Sequence, residues 1–410
     1  MVIAEPQSPK EAAWPRRLLC LSVLAAVTVS VIYLPQPLLA ELAESLHVGR
    51  DQAGLVATTV QCGYAVGIFL LVPLADRIQP RRQIAVQLTV LAVTLAVTAW
   101  LPSLAAVAVG FLVVGLWANI PQLVISTAVT LGPPGTSART TAYLVAAVFV
   151  GIFGGRVLAG LLGSTLGWRW TCVAFAVLVA SLVPMARGVI PTEMPRRSGA
   201  GYARLLISTV GVLGRSRALR QAAVMQLCAF AAFNSVWTVM VLHLTSPTWG
   251  WSTAAASLFG LVGLSAGVVA PLTAGVVSRL SPVVVMAAAL AAMVAATAAL
   301  LVDSASWGLV VSVFVLTAAN QTLQASNQHR VLDAERLRPG QANTMFMVFV
   351  FIGGSLGAAL GAVAFAHAGM PAVAVAGLTL LAVSIAAWVL TARDSRTTQR
   401  HTQRHGATAA

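Results

Sequence analysis

The chain has 410 residues, of which 58% are hydrophobic and 9% are charged, and its formal net charge is +14. A soluble domain carries about 25% charged residues because its surface faces water, so this composition excludes an ordinary soluble protein and indicates a chain that lies in lipid. The excess of basic residues does not indicate a nucleic-acid binder, because Lys and Arg lie in short segments between apolar runs and not on one face of a polar domain.

Long apolar runs recur along the whole chain. A helix of about 20 apolar residues crosses a bilayer core about 30 Å thick, and twelve runs meet this requirement. The runs lack the polar–apolar alternation of membrane β-barrel strands. We therefore predict an all-α integral membrane protein with twelve helices, at residues 17–40, 52–75, 83–101, 104–131, 140–166, 169–186, 221–245, 252–277, 281–302, 307–329, 341–366 and 370–391.

The longest polar interruption, residues 187–220, divides these helices six and six. It is rich in arginine but also contains leucines and valines, so it could be a solvated basic linker or a short helix on the membrane surface. The predicted domains are a cytoplasmic N-terminal tail at 1–16, a six-helix bundle at 17–186, the cytoplasmic central loop at 187–220, a second six-helix bundle at 221–391 and a disordered cytoplasmic tail at 392–410.

The distribution of basic residues predicts the orientation. With the N-terminus inside, all of the 25 Lys and Arg residues fall on the cytoplasmic side except Arg50, Arg156 and Arg169. Cytoplasmic loops of membrane proteins carry this excess of positive charge. Both termini are therefore predicted to be cytoplasmic, and the helix count gains support because a shift by one helix would destroy the pattern.

The two halves resemble each other in sequence. Val148–Gly155 resembles Val348–Gly354, and Ala118-Asn119 matches Ala319-Asn320, with the two copies about 200 residues apart in each case. Two such repeats place a binding site near the bilayer midplane, between the halves. The symmetry suits a transporter, in which one half rocks against the other to give alternating access.

The loop between predicted helices two and three carries a motif. Residues 72–84 resemble the signature loop of the major facilitator superfamily, G-x-L-a-D-r-x-G-r-r-x-x-l. Val72 and Gln79 replace its two glycines, and the second-half counterpart, Gly275–Arg279, has lost the acid. The matching positions are Leu74, Ala75, Asp76, Arg77, Arg81 and Arg82.

Other segments are similar to the bacterial arabinose-efflux-like, or drug–proton antiporter, branch of that superfamily, so the resemblance covers nearly the whole chain. It implies the major facilitator fold in a bacterial inner membrane, and proton-driven export of small organic molecules. We accordingly expect H⁺ as coupling ion, a monomer in the lipid bilayer, and no cofactor or metal. The segments are Tyr33–Leu39, Gln61–Tyr64, Gly167–Arg169, Asn343 and Gly353–Gly357.

Asp76 ends predicted helix two on the cytoplasmic side, where the N-terminus of helix eleven should also lie. A carboxylate near a helix N-terminus is favoured by about 0.3–1 kcal/mol. In the family this arrangement is similar to a latch that holds the outward-open state, with Arg77 or Arg81 pairing across it. The alternative is a solvated loop charge.

Arg156 is the one formal charge predicted deep in the bilayer, near the middle of helix five. An uncompensated arginine there costs about 2.5–3.5 kcal/mol, so we expect it to face the central cavity. It could anchor an anionic or strongly polar substrate. It could equally be a structural arginine bonded to carbonyls and to Asn and Gln side chains of adjacent helices.

Neutral polar side chains recur at helical spacing and need partners inside the bundle. Some could simply bridge helices at about 0.6 kcal/mol each. The resemblance implies that helices one, four, seven and ten line the cavity. The predicted substrate-binding residues are therefore Gln36, Asn119, Gln122, Asn234, Trp237 and Asn320, together with Arg156. Aromatic side chains that could stack on a planar ligand, or serve only packing, are Tyr33, Trp117, Phe230 and Phe233.

No acidic residue is predicted inside a helix core, since Glu41 and Glu44 fall at the outer face. This absence disfavours lipophilic cations as substrates, and it leaves the proton-binding group unassigned. The motifs HExxH, GxSxG and CxxC and the phosphate-binding loop are missing, which argues against an enzyme. We predict a secondary transporter that exports a small neutral or anionic organic compound, with an uptake permease or a non-transporting membrane sensor as alternatives.

Overall fold

The structure is a computed structural model that describes residues 14–193, 201–267, 280–302 and 306–407. The described residues form helices and connecting turns, without a strand among them. The helices are α1 (Trp14–Tyr33), α2 (Leu39–Ser45), α3 (Arg50–Leu71), α4 (Pro80–Thr98), α5 (Leu104–Trp117), α6 (Ile120–Leu131), α7 (Ser137–Val189), α8 (Tyr202–Arg215), α9 (Arg217–Leu244), α10 (Thr253–Leu258, followed by helical residues to Gly267), α11 (Pro282–Ala299), α12 (Ser306–Ala334) and α13 (Pro339–Ala407).

Eight helical segments of the described residues are long and apolar enough to cross a membrane. Two of them, within α7 and α13, have 51 and 56 residues, more than twice the roughly 20 that one crossing needs. Each folds back at a glycine with positive φ, Gly167 at 77° and Gly369 at 67°, a conformation that strains other residues. Counting α7 and α13 twice, and adding α4, the described residues make eleven of the twelve predicted passes. The remaining pass, predicted at 252–277, is described only to Gly267, and the loop counterpart Gly275–Arg279 lies outside the described residues. The predicted fold class is confirmed.

Proline residues interrupt two of the predicted helices. Helix one, predicted at 17–40, ends at Tyr33; a 3₁₀ turn, Gln36–Leu38, then leads into α2. Helix four, predicted at 104–131, is divided into α5 and α6, with Pro121 in the first turn of α6. Proline removes a backbone donor and clashes with the preceding turn, which explains both breaks.

The repeat seen in the sequence has a structural counterpart. A Cβ added to Gly151 of α7 would lie 2.1 Å from the backbone oxygen of Ala26 in α1. In the second half, a Cβ added to Gly357 of α13 would lie 2.3 Å from the backbone oxygen of Ala231 in α9. Small residues permit such backbone-to-backbone packing. We call these two contacts, α1 with α7 and α9 with α13, the glycine contacts.

The central loop, described from residue 201 onwards after Glu193, contains the helix α8. Leu205 and Val212 of α8 are buried, whereas Ile207 is 72% exposed. The Tyr202 hydroxyl donates to the Leu70 carbonyl at 2.6 Å, which fixes α8 against the end of α3. We call the end of the bundle that carries α8 the linker face and the opposite end the far face.

The last helix continues beyond its predicted end. It runs to Ala407, so residues 392–407 are helical, in contrast to the predicted disordered tail. Asp394 pairs with Arg217 at 3.0 Å and accepts a hydrogen bond from Gln221 at 2.7 Å. Extending an existing helix requires no new nucleus, and no glycine or proline follows until Gly406.

Candidate functional site

The 3₁₀ turn after α1 carries Gln36 into the contact between the two halves. Gln36 is buried, and its Nε2 donates to Asn234 Oδ1 and to Thr238 Oγ1 of α9, each at 3.2 Å. The two prolines that flank Gln36 end the helix at this point and set the direction of its side chain. One amide of the first half is thereby bound to two polar groups of the second.

Arg156, on the first pass of α7, is only 4% exposed. Its Nε donates to Gln36 Oε1 at 2.8 Å, and its Nη1 donates to the backbone oxygen of Ile152 at 3.1 Å. The third nitrogen, Nη2, is buried and has no hydrogen-bond partner within the described part of the chain. Two acceptors thus hold the guanidinium in place, while its Nη2 stays available to a third hydrogen-bond acceptor.

Three aromatic rings surround the Arg156 guanidinium. Its Cζ lies 4.1 Å from the ring centroid of Tyr33 and 5.1 Å from those of Phe153 and Trp237. Such rings attract a cation through their electron-rich faces, but none carries a formal negative charge. Among the described residues, the contacts of Arg156 therefore hold the cation without neutralising it.

Hydrogen bonds extend from this cluster into the second half. Asn234 Nδ2 donates to the backbone oxygen of Gly354 in α13 at 2.8 Å, and Trp237 Nε1 donates to Thr317 Oγ1 in α12 at 3.2 Å. Four of the seven predicted substrate-binding residues therefore lie together, and they are Arg156, Gln36, Asn234 and Trp237.

The other three predicted residues make bonds inside one half. Asn119 donates to the Leu116 carbonyl at 2.7 Å and accepts from Gln87 of α4 at 3.4 Å. Gln122 is hydrogen-bonded to Tyr64 of α3. In the second half, Asn320 accepts from Gln226 of α9 at 3.3 Å, and Asn327 donates to the same Gln226 at 3.2 Å. The contacts of these residues are those expected of polar side chains that bridge neighbouring helices.

Some polar groups near the cluster are not among the predicted substrate-binding residues. Gln61 of α3 is fully buried, and both its amide nitrogen and its amide oxygen lack a hydrogen-bond partner among the described residues. A Cβ added to Gly354 would lie only 2.0 Å from Gln61 Oε1. An amide in an apolar helix could have indicated Gln61 from the sequence. Nothing in the sequence indicated Thr238 or Thr317, since a threonine hydroxyl often bonds only to its own helix.

The cluster is closed towards the far face. The cavity beside Gln36, Arg156 and Trp237 has a volume of about 10 Å³, roughly the room that one water molecule needs. Next to it α7 packs tightly on α10, because a Cβ added to Gly160 would lie 1.7 Å from Ser257 Oγ. A substrate can reach Arg156 from the far face only after these contacts have opened.

Glu41, which the sequence places at the outer face, lies in α2 with Oε2 buried and without a hydrogen-bond partner among the described residues. It packs on Gly163 of α7, where an added Cβ would lie 2.9 Å from Oε2. A cavity of about 350 Å³ at the far face is lined by Glu41, Glu44 and Arg169. One carboxylate is therefore partly enclosed, close to the helix that carries Arg156.

The predicted latch residues lie at the linker face. Asp76 ends the 3₁₀ turn Pro73–Asp76, and this turn packs against α8. Arg77 is exposed, and Arg81 Nη1 donates to Thr192 Oγ1, which follows the end of α7. The described contact of Arg81 is thus with the start of the central loop and not across to α13.

Comparisons with known proteins agree with this architecture. The family model described as Major Facilitator Superfamily matches residues 19–336. Probable transporter SCO4007 of Streptomyces coelicolor is 34% identical over 389 residues, which are 94% of this chain and 89% of that protein. Uncharacterized transporter YgaY of Escherichia coli O157:H7 is 28% identical over 386 residues, 93% of this chain and 96% of that protein.

A solved structure shares the fold. The crystal structure of the nucleoside transporter NupG superimposes with a TM-score of 0.70, covering 91% of this chain and 98% of NupG. The two sequences are 15% identical, so this likeness concerns the fold and not the substrate.

Proposed function

Since the chain belongs to the major facilitator superfamily and is a multi-pass membrane transporter, we propose that it exports a small anionic or neutral organic compound by alternating access, with Arg156 as the substrate anchor. The observation that carries this proposal is the buried Nη2 of Arg156, which lacks a partner among the described residues. An acceptor oxygen on a substrate would complete the hydrogen bonding of the guanidinium.

Electrostatics favours an anion over a cation at this position. Two unit charges 4 Å apart interact by about 4 kcal/mol at an effective dielectric constant of 20, which corresponds to about a thousandfold in a binding constant. A cationic substrate beside Arg156 would meet this repulsion, because the described contacts of the guanidinium include no carboxylate. An anion would gain a charge-assisted hydrogen bond, roughly twice as strong as a neutral one.

The contacts between the halves suit a reversible opening. Gln36 with Asn234, Gly160 with Ser257, and Gly54 with Ala362 all join the halves on the far-face side of the bundle. Hydrogen bonds between membrane helices contribute only about 0.6 kcal/mol each, so breaking those of Gln36 costs little. A substrate that binds the unused Nη2 of Arg156 needs room beside the Gln36 contact, which links binding to opening.

The remaining parts of the proposal concern location and energy source. We infer a bacterial inner-membrane monomer of the arabinose-efflux-like, drug–proton antiporter branch, with both termini cytoplasmic and H⁺ as coupling ion. The charge distribution supports this orientation. In it the linker face is cytoplasmic, and Asp76, Arg77 and Arg81 form the latch of the outward-open state.

A thermal-shift experiment on purified full-length protein tests the anchor. The probes are benzoate as anion, benzamide as neutral compound and tetraphenylphosphonium as cation. A ligand at 100 times its dissociation constant stabilises by about 2.7 kcal/mol, so benzoate should raise the melting temperature of the wild type and not that of Arg156→Gln. The matched control, Arg139→Gln at an exposed arginine, should respond like the wild type. Equal stabilisation of all variants by the cation would refute the proposed pocket.

The direction of transport is tested in membrane vesicles. An exporter driven by proton exchange should accumulate radiolabelled benzoate in inside-out vesicles whose lumen is acidic, and dissipating the pH gradient should abolish the accumulation. An uptake permease would instead accumulate the anion in right-side-out vesicles.

A further inference from the structure

Both halves contribute polar groups and rings to their contact. The first half contributes the hydrogen-bonding groups of Arg156, Gln36 and Gln61, with the rings of Tyr33 and Phe153 beside Arg156. The second half contributes a continuous series of rings, which we call the aromatic row. Its members are Trp237, Phe233, Phe230 and Phe351, and successive ring centroids are 6.3, 5.5 and 5.8 Å apart.

The aromatic row connects the two uncommitted polar groups of the first half. At one end, the Trp237 ring lies 5.1 Å from the Arg156 guanidinium. At the other end, Gly354 touches both Phe230 and Gln61, since its added Cβ would lie 2.9 Å from Phe230 Cε1 and 2.0 Å from Gln61 Oε1. The rings therefore lead from a cation to an amide.

Both polar groups are buried without a full set of partners. Gln61 is 0% exposed and uses neither its donor nor its acceptor among the described residues, and Arg156 Nη2 is likewise unused. Aromatic packing alone would account for the rings but not for these groups, because buried polar atoms in proteins are nearly always hydrogen-bonded. Apolar walls with a few convergent polar groups are typical of a small-molecule site.

We propose that the substrate is a planar aromatic anion whose ring carries a hydrogen-bonding substituent. Its anionic group binds Arg156, its ring lies on the aromatic row, and its substituent binds the Gln61 amide. The proposal rests on the transport function proposed above and names the substrate class for that same site.

The mode of entry follows from the closed state. The space beside Arg156 on the far-face side is about 10 Å³, so a ligand fits between Arg156 and the aromatic row when the halves separate. Separation exposes Arg156 and Gln61 on one surface and the aromatic row on the other. The substrate is then enclosed between the surface that carries Arg156 and Gln61 and the one that carries the aromatic row, and the row selects for a flat molecule.

Isothermal titration of the purified full-length transporter tests the substrate class without any substitution. The probes are benzoate, 3- and 4-hydroxybenzoate, cyclohexanecarboxylate and 4-hydroxybenzamide. We expect at least one hydroxybenzoate to bind about 2- to 10-fold tighter than benzoate, the range of one hydrogen bond. Cyclohexanecarboxylate should bind about 2- to 10-fold weaker than benzoate, because it lacks the flat ring. The amide should bind weakest, because it lacks the charge.

Two variants assign these preferences to residues. Gln61→Leu should remove the preference for the hydroxybenzoate over benzoate, and Phe230→Leu should reduce the preference for benzoate over cyclohexanecarboxylate. The matched control is Gln87→Leu, because Gln87 is also a buried amide with an unpartnered oxygen but bonds to Asn119 inside the first half. This control should keep both preferences.

The outcomes separate this inference from the transport proposal. If the wild type binds benzoate and cyclohexanecarboxylate equally, or if Gln61→Leu keeps the hydroxyl preference, the substrate class is refuted while an Arg156-dependent anion transporter still stands. If none of the anions binds in an Arg156-dependent way, both proposals are refuted.

Discussion

Replacing Gly160 by alanine should shift the conformational equilibrium of the transporter. The added Cβ would lie 1.7 Å from Ser257 Oγ and 2.4 Å from Ser257 Cβ, whereas carbon atoms in contact are about 3.5–4.0 Å apart. The gap between α7 and α10 must therefore widen by more than 1 Å. Because these helices belong to different halves, opening of the far face relieves the clash.

The magnitude follows from the cost of overpacking. An extra methyl group in a tightly packed contact costs about 1–3 kcal/mol, here only in the state whose far face is closed. The equilibrium should move towards the open state by about 5- to 150-fold. Gly154 of the same helix gives a matched control, since the nearest atom to its added Cβ is Val150 Cγ1 at 4.0 Å.

Spin labels measure this shift directly. Labels at Ser45 and Thr248, exposed positions on the two halves at the far face, would be placed in a variant whose four cysteines have been replaced. Double electron–electron resonance should give longer distances between the two labels for Gly160→Ala and unchanged distances for Gly154→Ala. Adding Ser257→Gly should restore the shorter distances, because it removes both clashing atoms. Identical distributions for the two alanine variants would refute the reasoning.

Other substitutions separate function from stability. Asp76→Asn should slow transport in proteoliposomes without lowering the melting temperature, and an unchanged rate would remove the latch from the mechanism. Gly357→Ala should destabilise the fold by about 1–3 kcal/mol, because its Cβ meets the Ala231 carbonyl; Gly340→Ala, which meets no atom within 4 Å, should not, as denaturant titration can check. Asn119→Ala should lower the free energy of unfolding by a similar amount. It should leave the ligand preferences intact, since Asn119 bonds inside one half. Altered preferences in titration calorimetry would show that Asn119 belongs to the binding site.

The architecture could be predicted from the sequence because apolar length and charge placement act locally. Each bilayer crossing needs its own run of apolar residues, so even the reversals inside α7 and α13 fell between predicted helices. The bend after α1 could be predicted only in part. Two prolines indicated a break, but only the tertiary packing shows that Gln36 turns there towards Asn234.

The candidate site was predictable only in part, because helical spacing identifies a face but not what that face meets. Asn119 and Asn234 look alike in sequence, as asparagines in predicted apolar helices. The first bonds to Gln87 within its own half and the second to Gln36 across the halves. Gln61 is included in the proposed site because its amide has unused hydrogen-bonding capacity, and no sequence pattern records that capacity.

The glycine contacts have a consequence for how substrate range can diversify. Each half is held together by backbones that touch at Gly151 or Gly357, where almost any side chain would push the paired helices apart. The proposed recognition depends instead on side chains such as Gln61 of α3 and Phe230 of α9, which take no part in the glycine contacts. Substitutions at positions of the second kind leave the packing within each half unchanged. A lineage of such transporters can therefore acquire new substrates through a few substitutions while the fold of each half stays the same.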